Sequence, residues 1–251
     1  MTKHDQWHAR MDPCLGRYKA EEFKNLINLW TSGFQGKKIL KTDLKEEAFG
    51  EDEILFSLPR EAQVYGLDIA ARTVYRADQK QNSRQLRQRY IVADIRQIPF
   101  IDNTFDFVFS TSTLDHFKRG EDLTRSLIEL RRVMKPGGTM ILLVNNKFNL
   151  NAFVMFKLER ALKLIDYPVQ FYSLKDIKEI VTRSGWSVED QGVTVHILSP
   201  VNTLLKIGRK FLPQRFMDFA AEVWVKFARW LSKRKTKILT GWFIALKCVK
   251  E

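Results

Sequence analysis

The chain has 251 residues, 45% of them hydrophobic, without a low-complexity stretch, which excludes a disordered chain and fits one α/β domain with additions better than two domains. Its two cysteines, Cys14 and Cys248, make neither a disulfide framework nor a metal site, and point to a reducing compartment. The formal charge of +13 is uneven: residues 201–238 hold ten Lys/Arg against only Asp218 and Glu222, so that block meets an anionic partner or forms a solvated helix face.

The opening "MTKHDQWHARMDPC" has no apolar core of signal-peptide type, and no run of about 18 apolar residues follows, so nothing is expected to span a bilayer. The expected location is cytoplasmic. Phe23, Ile27 and Trp30 predict a short helix over 20–31. Strand-like runs follow at 38–41, 63–67, 89–92, 106–110 and 139–144; they are mostly apolar rather than alternating, as strands covered on both faces are. Between the last two, Leu123, Leu127, Leu130 and Met134 form one stripe of a helix over 121–134, which Pro136-Gly137-Gly138 ends. Ser173 and Asp176 make a capping-box-like start for a helix with Leu174, Ile177, Ile180 and Val181 on its apolar face and Gly185 after its end. Two strands close the chain, near 192–198 and 241–249. The alternation predicts a doubly wound, largely parallel sheet.

In such sheets ligands bind beyond the carboxyl ends of the strands, where strand order reverses. "YGLDIA" places Asp68 at the tip of the second strand, where it either accepts the two hydroxyls of a ribose or caps the next helix. "VADIRQIPF" places Asp94 at the tip of the third, where it can accept from an exocyclic amine while the Ile95 amide reads a ring nitrogen. The run "VADIRQIPFIDNTFDFVFSTSTLDHF" followed by "LIELRRVMKPGG" resembles the middle of class I S-adenosylmethionine-dependent methyltransferases. The matching residues are Pro99, Phe100, Asp102, Phe105, Asp106, Arg132, Val133, Lys135, Pro136, Gly137 and Gly138. The resemblance covers residues 36–145 well and 170–250 more loosely.

This resemblance implies a Rossmann-like, doubly wound, mostly parallel seven-stranded α/β sheet with an antiparallel last strand, and S-adenosylmethionine as cofactor. It implies that Asp68 and Ile69 hold the ribose, that Asp94 and Ile95 frame the adenine, and that Ser110 and Thr111 lie beneath the methionine part. The chain departs from the family where a G-x-G loop would follow the first strand: it reads Lys41-Thr42-Asp43-Leu44. Either Thr42 and Asp43 replace the glycine turn, with Asp43 taking the methionine ammonium, or the site has been lost; a subset of these enzymes resembles this chain in carrying "KTDL" here. His116 in "STLDHF" is the candidate base, oriented by Asp115 if the loop folds back, or else a surface histidine. His4, His8 and His196 are weaker candidates.

The chain divides into an N-terminal helical cap (1–35), a cofactor core (36–145), two helical lid insertions (146–172 and 199–240) and the final strand (241–251). Both insertions leave the sheet on the cofactor side, and Asn145, Asn146 and Asn149 offer polar contacts there or only turn chemistry. In the second, Phe216, Phe219, Ala220, Val223, Phe227, Trp230 and Leu231 share a helical face with Lys226, Arg229 and Lys233 largely opposite. That face either packs on the sheet domain or lies in a bilayer interface with anionic headgroups. The function expected is methyl transfer to a small-molecule or lipid-linked acceptor at an anionic membrane surface. The alternatives are a non-catalytic binding module with a basic helix and, less favoured because "STSTLD" replaces a base-stacking N/D-P-P-Y/F motif, an RNA methyltransferase. No metal is expected, and a dehydrogenase is disfavoured by the absence of G-x-G-x-x-G.

Overall fold

The computed structural model describes residues 11–31, 33–50, 54–163 and 168–251. Its elements in chain order are α1 (Pro13–Trp30), β1 (Lys38–Lys41), α2 (Lys45–Phe49), β2 (Gln63–Asp68), α3 (Ala71–Ser83), β3 (Arg89–Val92), β4 (Phe105–Thr111), α4 (Gly120–Val133), β5 (Met134–Asn145), α5 (Leu150–Ala161), α6 (Leu174–Arg183), β6 (Ser187–Thr194), α7 (Ser199–Gly208), α8 (Gln214–Ser232) and β7 (Phe243–Val249). The seven strands form one sheet in the order β3-β2-β1-β4-β5-β7-β6. The first five pair in parallel, and β7 runs antiparallel to both β5 and β6. From β1 the order proceeds one way to β2 and β3 and the other way to β4, so the crevice of the sheet opens at the carboxyl ends of β1 and β4.

Both faces of the sheet are covered, which is why its strands read as apolar runs. Ile39, Phe107, Phe109, Ile141 and Leu143 face a cluster with α1, α3 and α8. Their neighbours Leu40, Val108, Leu142 and Val144 face a second cluster, with Leu123, Leu127 and Leu130 of α4 and Ile177 and Val181 of α6. The side-chain period of two thus divides each strand between two cores.

The segments that carry the sequence resemblance fasten to one another. The Arg132 guanidinium donates to Asp102 Oδ1 (2.7 Å), to both Glu129 oxygens and to the carbonyls of Ile98 and Phe100. Lys135 Nζ pairs with Asp106, whose Oδ2 also accepts from the Lys38 amide (2.9 Å). Gly137, at φ +73°, donates to the Lys250 carbonyl, closing the chain's end onto β5.

Three elements differ from the sequence reading. Helix α1 begins at Pro13 rather than near 20, because Asp12 caps it by accepting from the Cys14 amide (2.9 Å) and Pro13 suits its first turn. Strand β5 starts at Met134, with Pro136-Gly137-Gly138 carried inside it. Strand β6 spans Ser187–Thr194 instead of 192–198, because Val195 adopts φ +61°, which ends the extended chain; β6 is an edge strand whose polar residues face solvent.

The insertions are tied to the sheet edge. Asn146 Nδ2 donates to the carbonyls of Ile238 and Gly241, and Asn149 caps α5 while donating to the Thr240 carbonyl. Buried Asp12 pairs with Arg209, which also reaches Asp218 (2.7 Å), so the start of α1 is locked to the α7–α8 hairpin. We expect Arg132→Ala to lower unfolding free energy by about 2 kcal/mol, the cost of orphaning several carbonyls and a charged partner, read as a shifted urea midpoint.

Candidate active site at the carboxyl edge of the sheet

Strand β1 ends in a fully buried lysine. Lys41 Nζ donates to the Asp43 carbonyl and to Glu47 Oε2 (2.8 Å), and both side chains are shielded from solvent. Burial works against the ammonium, but the charges of Glu47 and Asp43 outweigh it and hold Lys41 above the usual lysine range. Glu47 Oε1 accepts from the Leu55 amide, completing the pair's hydrogen bonds. None of Lys41–Leu44 takes a positive φ, so this turn has no need of glycine. The glycine is displaced to β2: a Cβ on Gly66 would lie 2.4 Å from Leu44 Cδ2 and 2.9 Å from Tyr90 Cδ1, so Gly66 lets Leu44 seat in the core.

The sequence-predicted ligands divide into several groups. Thr42 is buried, and its hydroxyl bonds Ser110 Oγ (3.1 Å) and Thr113 Oγ1 (2.9 Å). Thr42 and Ser110 therefore knit the turn to β4 rather than present hydroxyls to a ligand. Asp43 Oδ1 accepts from the Lys45 amide (2.6 Å), leaving Oδ2 for a cation. Asp68 accepts from the amides of Ala70 (2.8 Å) and Leu44 (3.3 Å), so it caps the next turn and stands beside the KTDL turn. Burial, then the nearby Asp43 charge, pushes its pKa up. Ile69 is 69% exposed, and Val92, across from Asp68 in the register, is 55% exposed, forming an apolar ledge at the tips of β2 and β3.

Asp94 shares its carboxylate with a neighbouring cation. Arg96 grips it through Nε (3.0 Å) and Nη2 (2.6 Å) while holding Asp122 through Nη1 (2.9 Å). That pairing keeps the Asp94 pKa below the usual carboxylate range, and any base must share the carboxylate with Arg96. The Ile95 side chain is buried in the core, which leaves only its backbone for a ligand.

Beside this edge lies a cavity of about 550 Å³, within the range of small-molecule sites. It brings together Asp43, Thr111, Ser112, His116 and Asn145; Asp68, Ile69, Asp94 and Ile95 lie outside its wall. Phe23, Phe156, Trp242 and Phe243 supply aromatic surface. Two wall residues hold left-handed backbone, Ser112 at φ 56° and Val195 at φ 61°, a strain that clusters at functional sites.

His116 follows Asp115 in a 3₁₀ turn, Leu114–His116. Its Nδ1 lies 3.1 Å from the Pro168 carbonyl, which can only accept; Nδ1 therefore carries the hydrogen and the neutral ring keeps its lone pair on Nε2. Asp115 Oδ1 lies 3.9 Å from Nε2, close enough to pair with a protonated ring. Asp115 is fully buried, accepts from Ser112 Oγ and from the backbone and side chain of Asn145, and burial raises its pKa. His196 is buried, its Nδ1 bonded to Thr240 Oγ1 (2.8 Å) and its pKa lowered to about 4 by burial and Lys237, so it is neutral at pH 7. His4 and His8 lie outside the described residues. Asn146 and Asn149 are taken up by the staples to the second insertion, and only Asn145 lines the cavity.

The sequence reading missed two contributors. Pro13, Gly16, Ala20 and Phe23 of α1 line the cavity at helical spacing, a stripe hidden once the helix is started at residue 20. Ser199, at the start of α7, lines the cavity with its hydroxyl buried and unpaired. No group of three or more potential metal ligands occurs among the described residues.

Residues 48–142 match a family model described as a methyltransferase domain. The chain is 30% identical over 150 residues to 2-phytyl-1,4-naphtoquinone methyltransferase of Trichormus variabilis, covering 57% of this chain and 61% of that one. It is 36% identical over 92 residues to demethylmenaquinone methyltransferase of a Geobacillus species, covering 36% and 38%. It spans less than two thirds of the length of the curated relatives it matches, from 21% to 61%. A solved S-adenosylmethionine-dependent methyltransferase from Methanosarcina mazei superposes with a TM-score of 0.59 at 14% identity, over 90% of this chain and 96% of that one, which shows the shared fold.

Two outcomes follow from the turn. Lys41→Met is expected to cost about 3–5 kcal/mol by leaving the Glu47 carboxylate buried and unpaired, and adding Glu47→Leu to recover most of it, both read by chemical denaturation. Because the Asp68 pKa is raised, its charge is lost as pH falls while ordinary carboxylates are still ionised. Nucleoside binding is expected to weaken from that higher pH, and Asp68→Asn to flatten the profile, measured as Kd against pH by calorimetry.

Proposed function

We propose that the chain is a class I S-adenosylmethionine-dependent methyltransferase that methylates a small, apolar, ring-bearing acceptor, of the quinone type or lipid-linked, using His116 as the base. Such an acceptor would be met at a membrane surface. One observation carries this reading: a single cavity joins the acid of the KTDL turn, the His116 imidazole and an aromatic wall. The names of the two quinone methyltransferases it is similar to support the acceptor class.

The residues fit the cofactor by the chemistry of the donor set. Asp68 offers a carboxylate at the β2 tip for vicinal hydroxyls, Ile69 and Val92 offer an exposed apolar ledge for a ring, and Asp43 with Asp68 concentrates negative charge where a cationic amino-acid tail would lie. S-adenosylmethionine supplies an electrophilic methyl group on a sulfonium, so the protein's share of the chemistry is alignment, exclusion of water and removal of a proton.

Alignment falls to the cavity walls. Phe23 of α1, Phe156 of α5, and Trp242 with Phe243 at the start of β7 present apolar aromatic surface to a planar acceptor. Trp242 is itself fixed, its Nε1 donating to Asn145 Oδ1 (3.2 Å). The unpaired Ser199 hydroxyl stands ready for a polar group on that acceptor, since a buried hydroxyl without a partner costs free energy. The acceptor's proton passes to His116 Nε2, because Nδ1 is committed to the Pro168 carbonyl. Asp115 then balances the imidazolium from 3.9 Å. Asp115 is a positioning residue, held by Ser112 and Asn145 on two different strand ends.

The test combines calorimetry with the cofactor and mass spectrometry of reactions offered demethylated naphthoquinols and benzoquinols. We expect binding that weakens with Asp68→Ala and one added methyl on a quinol. His116→Ala is expected to lower kcat by about 10²-fold or more while leaving cofactor Kd unchanged, as removal of a general base does. Turnover undiminished in His116→Ala would end the role given to that residue, and absent cofactor binding would leave the domain a binding module.

A further inference from the structure

Helix α8 buries one side against the protein and leaves most of its aromatic residues outside. Met217, Ala221 and Ala228 are buried against the cluster shared with α1, whereas the large apolar residues look outward: Phe219 is 64% exposed, Phe216 58% and Trp230 47%. Of the face recognised in the sequence, Ala220 packs against the core, while Phe216, Phe219, Val223, Phe227 and Trp230 remain exposed. The pattern continues beyond α8. Phe211, in the turn between α7 and α8, is 80% exposed, and Leu204 and Ile207 of α7 are exposed. A groove of about 500 Å³ runs between α7 and α8, walled by Leu204, Leu205, Leu212, Phe216, Val223 and Phe227. Helix α5, which touches α7, likewise exposes Leu150, Val154 and Leu158.

An apolar surface on this scale marks an interaction site, since isolated exposed side chains are common but contiguous patches are not. Cations border it. Lys210, Arg215, Lys226, Lys233, Arg234, Lys235 and Lys237 are all exposed. The Arg234 guanidinium sits 3.9 Å from the centre of the Trp230 ring, and Trp230 stacks on Phe227 with centroids 5.4 Å apart. Aromatic and aliphatic side chains at the same surface as flexible cations match the boundary of an anionic bilayer, where acyl chains lie beneath negative headgroups. The same charge disfavours a second copy of this chain as the occupant, because two blocks with ten Lys/Arg against two acids would face each other. No described helix is long and apolar enough to cross a membrane, so the contact is one of lying on the surface.

We propose that the outer faces of α5, α7 and α8 form a docking surface for an anionic lipid bilayer. The inner sides of α5 and α7 line the cavity through Phe156 and Ser199, so docking brings the bilayer to the back of the acceptor site's own wall. The inference deepens the proposed acceptor class, and its purpose rests on that reading; its geometry does not.

The experiment is flotation of the full chain, without cofactor or acceptor, on phosphatidylcholine vesicles with and without phosphatidylglycerol. Binding is expected only with the anionic lipid, and both a triple Lys226→Glu/Lys233→Glu/Lys235→Glu variant and a Phe211→Ser/Phe219→Ser variant are expected to weaken it by more than about tenfold. The salt dependence of binding should fall in the charge variant. Circular dichroism checks that the variants fold, and their turnover on a water-soluble short-chain quinol should remain at the parent level, which separates loss of docking from loss of catalysis. Indifference to anionic lipid, a concentration-dependent dimer dissolved by Phe219→Ser, or RNA displacing the vesicles would each overturn the proposal.

Discussion

A single buried ammonium holds the carboxyl edge of the sheet in shape. Lys41 ends β1 inside the protein, tied to the carbonyl of Asp43 and the carboxylate of Glu47. A glycine loop would gain its shape from backbone freedom; here the shape comes from an ion pair that is costly to disturb because neither charge reaches water. With the turn fixed, Asp43 accepts from the Lys45 amide at the start of α2, the Leu44 amide meets Asp68, and the Thr42 hydroxyl locks onto β4. Three strand tips are thereby set relative to one another before any ligand arrives.

Around that edge, distant parts of the chain close the cavity. The start of α1 comes from the first tenth of the sequence, α5 from the first insertion and α7 from the second. Asp12 and Arg209 lock the first to the last across nearly the whole length of the chain, and Asn146 and Asn149 staple the second insertion to the end of β5. The cavity is built by fastening polar hooks at its rim, which leaves its walls free to be aromatic and apolar. The motif that carries the strongest resemblance serves the same economy: Arg132 with Asp102, and Lys135 with Asp106, clamp the far end of the sheet and touch no part of the cavity.

The His116 turn gets its geometry from few contacts. Its tautomer follows from one backbone carbonyl, and its counter-charge from a neighbour buried by two strand ends. Asp115 could be so placed because Asn145 and Ser112 satisfy its oxygens; without them a carboxylate at that depth would be too costly to keep.

The sequence by itself determined the order of strands and helices, because apolar runs of strand length separated by amphipathic stripes are a local signal that covered parallel strands cannot avoid. Asp68 at a strand tip, the helix stripe of α4 and the Ser173 cap were legible for the same local reason. Tertiary structure alone decided the rest. That Arg96 would bridge Asp94 to Asp122 and that Ser110 would face Thr42 depend on partners far along the chain, and the positive φ of Val195 that ends β6 left no mark in the apolar pattern. The outward turn of α8 is the clearest case: Met217, Ala221 and Ala228 are buried, while Phe216, Phe219 and Trp230 of the same helix are exposed. Only the packing against α1, where Ala221 and Ala228 allow close approach, chooses which of them meets the protein and which meets the solvent.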